Sequence, residues 1–424
     1  MTLELLQALA TRHTGTERDE CRPFGMQFIA PSLATDDHLM RFHARDYVDT
    51  LRRTAQSGAA TSKPTMLGDS SRTGTSRHGR PVSDRDCKEF ELVDDAYVFP
   101  GLYEYCLYVA GASLTAADAL KHLIGQWRQR SQEQTACRTS APVVINLGGG
   151  RHHAMRSQAS GFCYVNDVVL AIQRLLQAPP ATNDNGNGND RPKLERVLCI
   201  DMDVHHGDGV QEAFFYSANA TTLSFHMMER AFFPGTGAED EIGGGRGKHH
   251  TINVPLRRGI VDGQFHALFE TIVAKAIECV DPEAVVLLCG VDTLARDSLG
   301  GFNLTSHGIT QCVKTLMAFN RPTLLLGGGG YSGADACRAL AAVVTTVAAP
   351  NVDVHNLEVP EHEFFEEYGP DFRMRTKPVL HRPNENTDES LAVVTQLAVA
   401  TLEKAKRSRL TREANRNDCK RKRA

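Results

Sequence analysis

The sequence predicts an α/β fold in which a parallel sheet is covered by helices on both faces. Short, nearly continuous apolar runs, typical of buried strands, alternate along the chain with helical patterns. The strand-like runs are 142–147, 196–201, 221–225, 285–291 and 322–327, and the helical patterns are 164–177, 208–216, 262–280, 306–319 and 333–348. Polar clusters follow several of these runs, and in such sheets ligands bind beyond the carboxyl ends of the strands.

The chain is predicted to hold one domain, residues 1–380, followed by a helical and basic tail over 381–424, part of it disordered. Hydrophobic residues make up 41% of the 424 residues, which is enough for one large core. Two stretches, 55–88 and 178–192, are rich in turn formers and carry no hydrophobic period. Because neither can bury enough apolar surface to offset its ordering entropy, both are predicted to be disordered insertions.

Composition argues against membrane and disulfide-stabilised classes. No apolar run approaches the roughly 20 residues that span a bilayer, and the N-terminus lacks the layout of a signal peptide. We therefore expect a soluble intracellular protein without a membrane partner. The 11 cysteines form no CxxC pair, which argues against a disulfide framework. Cys199 and Cys289 lie in apolar runs and are predicted to be buried thiols.

Charge is divided unevenly along the chain. The net charge is −4, yet residues 404–424 carry ten Lys or Arg against two acids, so the remainder is strongly acidic. An acidic body suits cationic partners. The terminal CKRKRA is typical of a nuclear-import cluster, with a solvated tail as the plainer interpretation. We expect a nuclear protein, also present in the cytoplasm, that binds no specific nucleic-acid sequence directly.

A metal site is predicted beyond two of the strands. Asp203 and His205 follow the run ending in LCID, and residues two apart in an extended segment point the same way. Asp292 follows the run VVLLCGV and could supply a third ligand. Two carboxylates and one imidazole suit Zn²⁺ with an open position for water and substrate. The alternative is that these acids cap helices, as Asp208 plausibly does.

Two histidines are candidates for acid–base chemistry. His152 and His153 follow the run PVVINL and three glycines, and their ordinary pKa lies near neutrality. Asp201 and Asp208 could each fix the tautomer of one imidazole. A His-His pair alone is a weak signal, and the similar pair His249-His250 is predicted to be structural.

A tyrosine follows the last strand-like run. Four glycines at 327–330 precede Tyr331. A phosphate-binding loop is the obvious rival for a glycine run, but no GK[ST] follows. A tyrosine on such a turn could donate a hydrogen bond to a polarised carbonyl oxygen.

Together these segments resemble the histone deacetylase family, and the class I enzymes in particular. The matching pieces are GGGRHHAMRSQASGFCYVNDVVLAI, IDMDVHHGDGVQEAFF, SFHMMERAFFPGTG, NVPL, GVDTL, FNLT, LLLGGGGY and EFFEEYGPDF. The resemblance implies the arginase–deacetylase fold, with a parallel eight-stranded sheet between helices. Family chains also begin with a short strand, whereas Met1 opens directly into what resembles the next helix.

The resemblance also implies residue roles. Zinc would bind Asp203, His205 and Asp292. His153 would act as general base and acid with His152 as its electrostatic partner, Asp201 and Asp208 would orient these imidazoles, and Tyr331 would stabilise the oxyanion. The remaining positions would bind substrate or potassium: Phe162, Phe233 and Leu299 at the acetyl-lysine tunnel, Gly161 through its carbonyl, Asp95 at the rim, and Asp201, Ser224, Phe225 and the backbone of Asp203 and His205 around K⁺.

The implied activity is zinc-dependent hydrolysis of acetyl groups from lysine side chains of histone tails or other proteins, with release of acetate. A chromatin regulator of this kind would work in a co-repressor-type complex. Two alternatives stay open: a deacetylase of the same fold that acts on acetylpolyamines or other small amides, and a catalytically silent scaffold that binds acetyl-lysine.

Overall fold

The computed structural model describes residues 1–14, 26–56, 82–133, 140–178 and 192–421. Within these residues one parallel sheet has the spatial order β1-β6-β5-β2-β3-β4. The strands are β1 Val143–Asn146, β2 Val197–Asp201, β3 Ala220–Met227, β4 Thr251–Leu256, β5 Ala284–Leu288 and β6 Thr323–Leu326. The α/β class, the parallel pairing and the five strands expected from apolar runs are confirmed, and β4 is an additional strand.

Helices cover both faces of this sheet. They are α1 Thr2–Thr14, α2 Asp36–Leu39, α3 Arg45–Gln56, α4 Asp84–Glu89, α5 Leu102–Glu133, α6 Asp167–Leu176, α7 Asp208–Phe214, α8 Asp262–Val280, α9 Ser306–Ala318, α10 Gly333–Ala348 and α11 Asp388–Arg421. None of the helices in the described ranges is long and apolar enough to cross a bilayer.

The continuous apolar runs arise because each central strand is buried on both sides. Leu198 and Ile200 of β2 lie in a core shared with α8, α9 and α11. Val197 and Cys199 point the other way, into a core shared with α5 and α6. Successive strand residues face opposite layers, so every position must be apolar. The predicted burial of Cys199 and Cys289 is confirmed, and the eight cysteines whose side chains the structure describes are free thiols.

The register of the sheet brings several strand ends to one edge. Asp201, the last residue of β2, lies opposite Leu288 of β5 and Ser224 of β3. Residues that follow β2 and β5 therefore leave the sheet side by side. The segments after β1 and β6 leave in the same direction, since all pairs are parallel.

The resemblance implies eight strands, whereas the described residues form a sheet of six. β1 is the outermost strand and pairs only with β6 there. Residues 26–29 lie nearby, but they line a cavity of about 580 Å³ together with residues 143–147 and form no strand. The open edge of the sheet is therefore bordered by an apolar cavity.

The predicted insertions lie mostly outside the described residues. Of the stretch 55–88, residues 57–81 fall outside, whereas Ala55 and Gln56 end α3 and residues 84–88 lie in α4. Of the stretch 178–192, only its two end residues are described. In the predicted tail, α11 packs against α8 and β4 and buries Val394, Ala398 and Leu402. The domain boundary at residue 380 stays a prediction.

A buried histidine supports the loop that enters α6. The backbone N–H of Asn166 donates to His43 Nε2 at 3.0 Å, which requires a neutral imidazole protonated on Nδ1. The Asn166 amide in turn donates to the carbonyls of His152 and Ala154. Burial, opposed only in part by the carbonyls of Arg156 and Met155, lowers the pKa of His43 from 6.5 to about 4.

Acidification should therefore destabilise the fold through His43. Between pH 6.5 and 4 the unfolded chain binds a proton at His43 that the native protein does not bind. The contribution of neutral His43 to the free energy of unfolding is therefore fully present above pH 6.5 and is lost as the pH falls towards 4. His43→Gln keeps an acceptor for Asn166 but cannot titrate. Urea unfolding of both proteins between pH 7 and 5 should show a shallower pH dependence in the variant, by at most about 1.4 kcal/mol per pH unit. Identical slopes would contradict this role.

Candidate metal centre and active site

Three predicted ligands converge where β2 and β5 end. One oxygen or nitrogen atom from each of Asp203, His205 and Asp292 lies within 4.8 Å of the other two, and all three residues are buried. His205 Nδ1 lies 3.0 Å from Asp292 Oδ2 and 3.2 Å from Asp203 Oδ1. The parallel register explains this convergence, because β2 and β5 are neighbours in the sheet.

Glycines let the backbone approach these carboxylates. The N–H of Gly329 donates to Asp203 Oδ2 at 2.7 Å. A Cβ atom on Gly329 would overlap Asp292 Oδ2, and one on Gly290 would lie 2.5 Å from Asp203 Oδ2. The glycine run after β6 thus serves close approach to the acidic pair, in agreement with the absence of a phosphate-loop sequence.

The electrostatics of the group favour a bound cation. Burial and the neighbouring Asp203 raise the pKa of Asp292 well above its ordinary value. Although burial alone would lower it, hydrogen bonds with Asp203 and Asp292 raise the pKa of His205 to about 10. Two buried carboxylates therefore draw positive charge to this point. Two carboxylates and an imidazole fit Zn²⁺ with a position left open.

The two predicted acid–base histidines lie beside the metal ligands. His152 Nδ1 is 2.7 Å from Asp201 Oδ2, and His153 Nδ1 is 2.7 Å from Asp208 Oδ1. Their ring centroids are 4.0 Å apart. Each imidazole is thus paired with the carboxylate that the sequence suggested, and His152 Nε2 also lies 3.8 Å from Asp203 Oδ1.

The surroundings of these two histidines push their pKa values apart. Burial alone would lower the pKa of His152, but Asp201 and Asp203 raise it to about 9. Burial, and next the positive charge on His152, lower the pKa of His153 to about 4. Near neutral pH His152 is therefore protonated and positively charged, whereas His153 is neutral. Such a separation assigns different roles to the two rings.

Apolar and aromatic side chains surround the opening above this cluster. Each of the following is about two-fifths exposed or slightly more: Phe162, Phe233, Leu299 and Tyr331. The ring of Phe233 lies 4.8 Å from that of His153, and Phe162 lies 5.9 Å from Tyr331. Exposed apolar groups that border a buried polar centre form the mouth of a ligand site.

Close contact shapes the wall of this mouth at Gly161. Its φ is +51°, and a Cβ atom there would lie 2.7 Å from His153 Cδ2. Phe162 also has a positive φ, of 63°. The turn is therefore held in a conformation that favours glycine, and the Phe162 side chain in it is partly exposed.

Two sets of predicted residues are less directly connected to this centre. Asp95 is exposed in the 3₁₀ turn Asp94–Ala96, and no hydrogen bond or ion pair joins it to another described site residue. That turn is tied to the mouth because the Tyr164 hydroxyl donates to the Tyr97 carbonyl. In the predicted potassium set, Asp201 and Ser224 are register neighbours, whereas the Phe225 side chain packs in the core.

Sequence reasoning missed two residues that hold the centre in place. The ring of Phe232 stacks on that of His205, with centroids 5.1 Å apart and an interplanar angle of 2°. Asp297 accepts the N–H groups of Tyr331 and Leu299 at 2.6 and 2.9 Å. An aspartate two residues before Leu299 signals a local turn. Its bond to Tyr331, 34 residues away, leaves no local signal in the sequence.

Fold and site together define an α/β protein with a candidate metal centre: a buried Asp–His–Asp group lies at the carboxyl edge of a parallel sheet, beside two histidines that each pair with an aspartate. The chain belongs to the histone deacetylase family, because the histone deacetylase domain matches residues 3–347. The resemblance found in the motifs is thereby confirmed.

Curated relatives extend this match over most of the chain. It is 39% identical to histone deacetylase 19 of Arabidopsis thaliana over 86% of this chain and 62% of that protein. It is 36% identical to histone deacetylase 1 of Homo sapiens over 88% of this chain and 65% of that protein. It is 38% identical to histone deacetylase HDAC1 of Drosophila melanogaster over 86% of this chain and 59% of that protein. The chain thus spans about three-fifths of the length of these relatives.

Removal of the imidazole ligand should abolish metal binding. His205→Ala leaves the two carboxylates without their third partner, so zinc content should fall from about one equivalent to nearly none. Metal analysis after dialysis, with circular dichroism to check the fold, measures this. His122→Ala, at an exposed position on α5, is the control. Full zinc occupancy in His205→Ala would overturn the assignment.

Proposed function

We propose that this protein is a zinc-dependent lysine deacetylase that removes acetyl groups from histone tails or other proteins and releases acetate. The observation that carries the proposal is the buried Asp203–His205–Asp292 group beside two histidines, each of which pairs with an aspartate at 2.7 Å. Membership of the family supports the reaction class. The similarity to proteins named histone deacetylases supports acetylated histones as substrates.

Asp203, His205 and Asp292 would hold the zinc ion. When bound, zinc polarises a carbonyl oxygen and lowers the pKa of a coordinated water to about 7. The chain itself contributes the rigid placement of the ligands. Hydrogen bonds from the backbone N–H groups of Val204 and Gly329 fix Asp292 and Asp203, at 2.9 and 2.7 Å.

His153 is suited to move the proton in both halves of the reaction. Neutral at Nε2 and held through Nδ1 by Asp208, it would accept the proton of the attacking water as the new C–O bond forms. It would then give that proton to the lysine nitrogen as the C–N bond breaks, which leaves acetate and a free amine. His152, charged and paired with Asp201, keeps its proton throughout and acts electrostatically.

Tyr331 is suited to donate a hydrogen bond to the developing oxyanion. Burial, followed by the charges of Asp203 and Asp292, raises the pKa of its phenol above the ordinary value of 10. The hydroxyl therefore stays protonated and available as a donor. Its main chain is fixed by Asp297 at 2.6 Å, so the ring is positioned without using the hydroxyl.

The mouth suits a long aliphatic side chain. Phe162 and Phe233 would enclose the four methylenes of lysine, and their burial is worth roughly 3 kcal/mol at about 0.8 kcal/mol for each methylene. Leu299 would lie at the edge of this passage, the Gly161 carbonyl would accept the substrate amide hydrogen, and Asp95 would bind the substrate backbone at the rim.

Further proposals follow from the resemblance and the charge distribution. Potassium would be structural, bound beside Asp201 and Ser224 with Phe225 and the backbone of Asp203 and His205. A nuclear location, with some cytoplasmic protein, is supported by the basic residues at 404–424. Acetylated proteins and a co-repressor-type complex are the proposed partners.

Replacement of the phenol tests the mechanism and separates an enzyme from a scaffold. Tyr331→Phe should leave zinc content and peptide affinity nearly unchanged, because the ground-state carbonyl can still meet the metal. The values of kcat and kcat/KM on an acetyl-lysine peptide should fall in parallel, by roughly a hundred- to a thousandfold. Steady-state kinetics, with peptide affinity measured separately, provides the comparison.

Tyr108→Phe, at an exposed position on α5, is the matched control and should retain full activity. An unchanged kcat in Tyr331→Phe would contradict the oxyanion role. Wild-type protein that binds the peptide without turnover would favour the scaffold, and turnover of acetylpolyamines alone would favour the small-amide enzyme.

A further inference from the structure

A basic pocket lies on the side of the sheet opposite the open edge, between α11 and the turn that leads into β4. Its cavity volume is about 460 Å³. Six of its lining residues carry basic side chains: Arg246, Lys248 and His249 from the turn, and Lys404, Arg407 and Arg412 from α11. Among the described residues, the lining contains no acidic side chain. The pocket shares no lining residue with the acetyl-lysine mouth.

The basic residues of α11 whose side chains the structure describes fall into two groups. Those that do not line the pocket are paired: Lys406 with Glu278 at 2.6 Å, Arg409 with Glu413 at 3.1 Å, and Arg416 with Glu195 at 2.9 Å. In the described part of the chain, by contrast, Lys404 and Arg407 have no ion-pair partner. The cations of α11 outside the pocket are thus neutralised by acidic side chains, whereas Lys404 and Arg407 at the pocket are not.

Arg412 is held at the pocket by a neutral group. Its Nη2 donates to His250 Nε2 at 3.1 Å, and His250 Nδ1 lies 2.8 Å from Thr221 Oγ1. Burial, followed by the charge of Arg412, lowers the pKa of His250 to about 4. An imidazole that remains uncharged fixes the guanidinium without cancelling its charge. Arg412 Nη1 also donates to Ser408 Oγ at 3.1 Å, another neutral partner.

The cations are close enough to repel one another. Burial and then the charge of Arg246 lower the pKa of Arg412. Burial, then Lys404 and Lys248, lower the pKa of His249. The acid nearest in sequence, Glu413, already binds Arg409. Like charges gathered around one cavity raise the free energy of the fold, and a bound anion would remove that cost.

We propose that this pocket binds a compact polyanion that carries several phosphate groups. Five Lys and Arg side chains from two elements converge on it, as charge-assisted binding of phosphate oxygens requires. The volume falls within the range of small-molecule sites, roughly 300–1,000 Å³. A concave pocket favours a compact ligand over the continuous backbone of a nucleic acid, which needs an extended basic track.

Such a ligand would join two separate parts of the fold. Arg246 and Lys248 belong to the connection between β3 and β4, and Lys404 and Arg407 belong to the C-terminal helix. An anion held by both would fasten α11 to the sheet. Binding should therefore raise the melting temperature of the whole protein.

The test uses inorganic triphosphate as the probe, with isothermal titration calorimetry on the full chain. The pocket variant is Lys404→Gln with Arg407→Gln, two exposed positions whose side chains make no ion pair within the described residues. The matched control is Lys406→Gln with Arg416→Gln, on the same helix and with the same change in net charge, but outside the pocket. Melting temperatures with and without triphosphate are measured in parallel.

Wild type and control should bind triphosphate with similar affinity and gain thermal stability, and the pocket variant should bind about tenfold more weakly or worse. Zinc capture by triphosphate would give equal heats in all three proteins and cannot produce this difference. The proposal is overturned if triphosphate does not bind, or if both variants lose affinity equally. It is also overturned if a double-stranded DNA oligonucleotide binds through Lys404 and Arg407 more tightly than triphosphate does.

Discussion

Asp203 and Asp292 are two carboxylates buried side by side at the ends of neighbouring strands, and much of the surrounding structure compensates for them. Burial raises the free energy of each charge, and their proximity adds repulsion. The imidazole of His205 and the backbone N–H groups of Val204 and Gly329 surround them. A pair of this kind is stable as a charged pair only with a cation, so metal binding and the fold of this edge are linked.

The same carboxylates organise the acid–base pair. Asp201 and Asp203 together raise the pKa of His152 despite its burial, whereas burial and then the charge on His152 lower the pKa of His153. A free base next to the candidate metal site is thus a consequence of the acidic centre and its burial. Tyr331 is affected too, because burial and then the two carboxylates raise the pKa of its phenol and so preserve the donor.

The sequence was most informative where period and spacing decide the structure. Alternating strands and helices predicted the sheet, and the i, i+2 spacing of Asp203 and His205 predicted their convergence. The sequence pattern did not predict β4, because Thr251, Asn253 and Pro255 interrupt its apolar residues. A proline inside a strand is typical of a position at the edge of a sheet, where β4 lies within the described residues.

Contacts between distant segments account for what the sequence did not predict. Stacking of Phe232 on His205 and the bond from the Tyr331 N–H to Asp297 depend on how loops meet after folding, and neither follows a local period. The six-stranded extent of the described sheet likewise depends on whether residues 26–29 pair with β1, and they line a cavity there instead. The basic charge of the tail is evident from the sequence. Which of its cations form ion pairs is not, because the acidic partners lie on distant segments of the chain.

Titration of zinc into the metal-free protein determines whether the acidic centre binds a catalytic metal. The protein is freed of metal with a chelator, and acetate release from an acetyl-lysine peptide is measured as zinc is restored. Activity should be absent at first and should rise in proportion to bound zinc, up to one equivalent per chain. Turnover by the metal-free protein, or no turnover with one equivalent bound, would contradict the account.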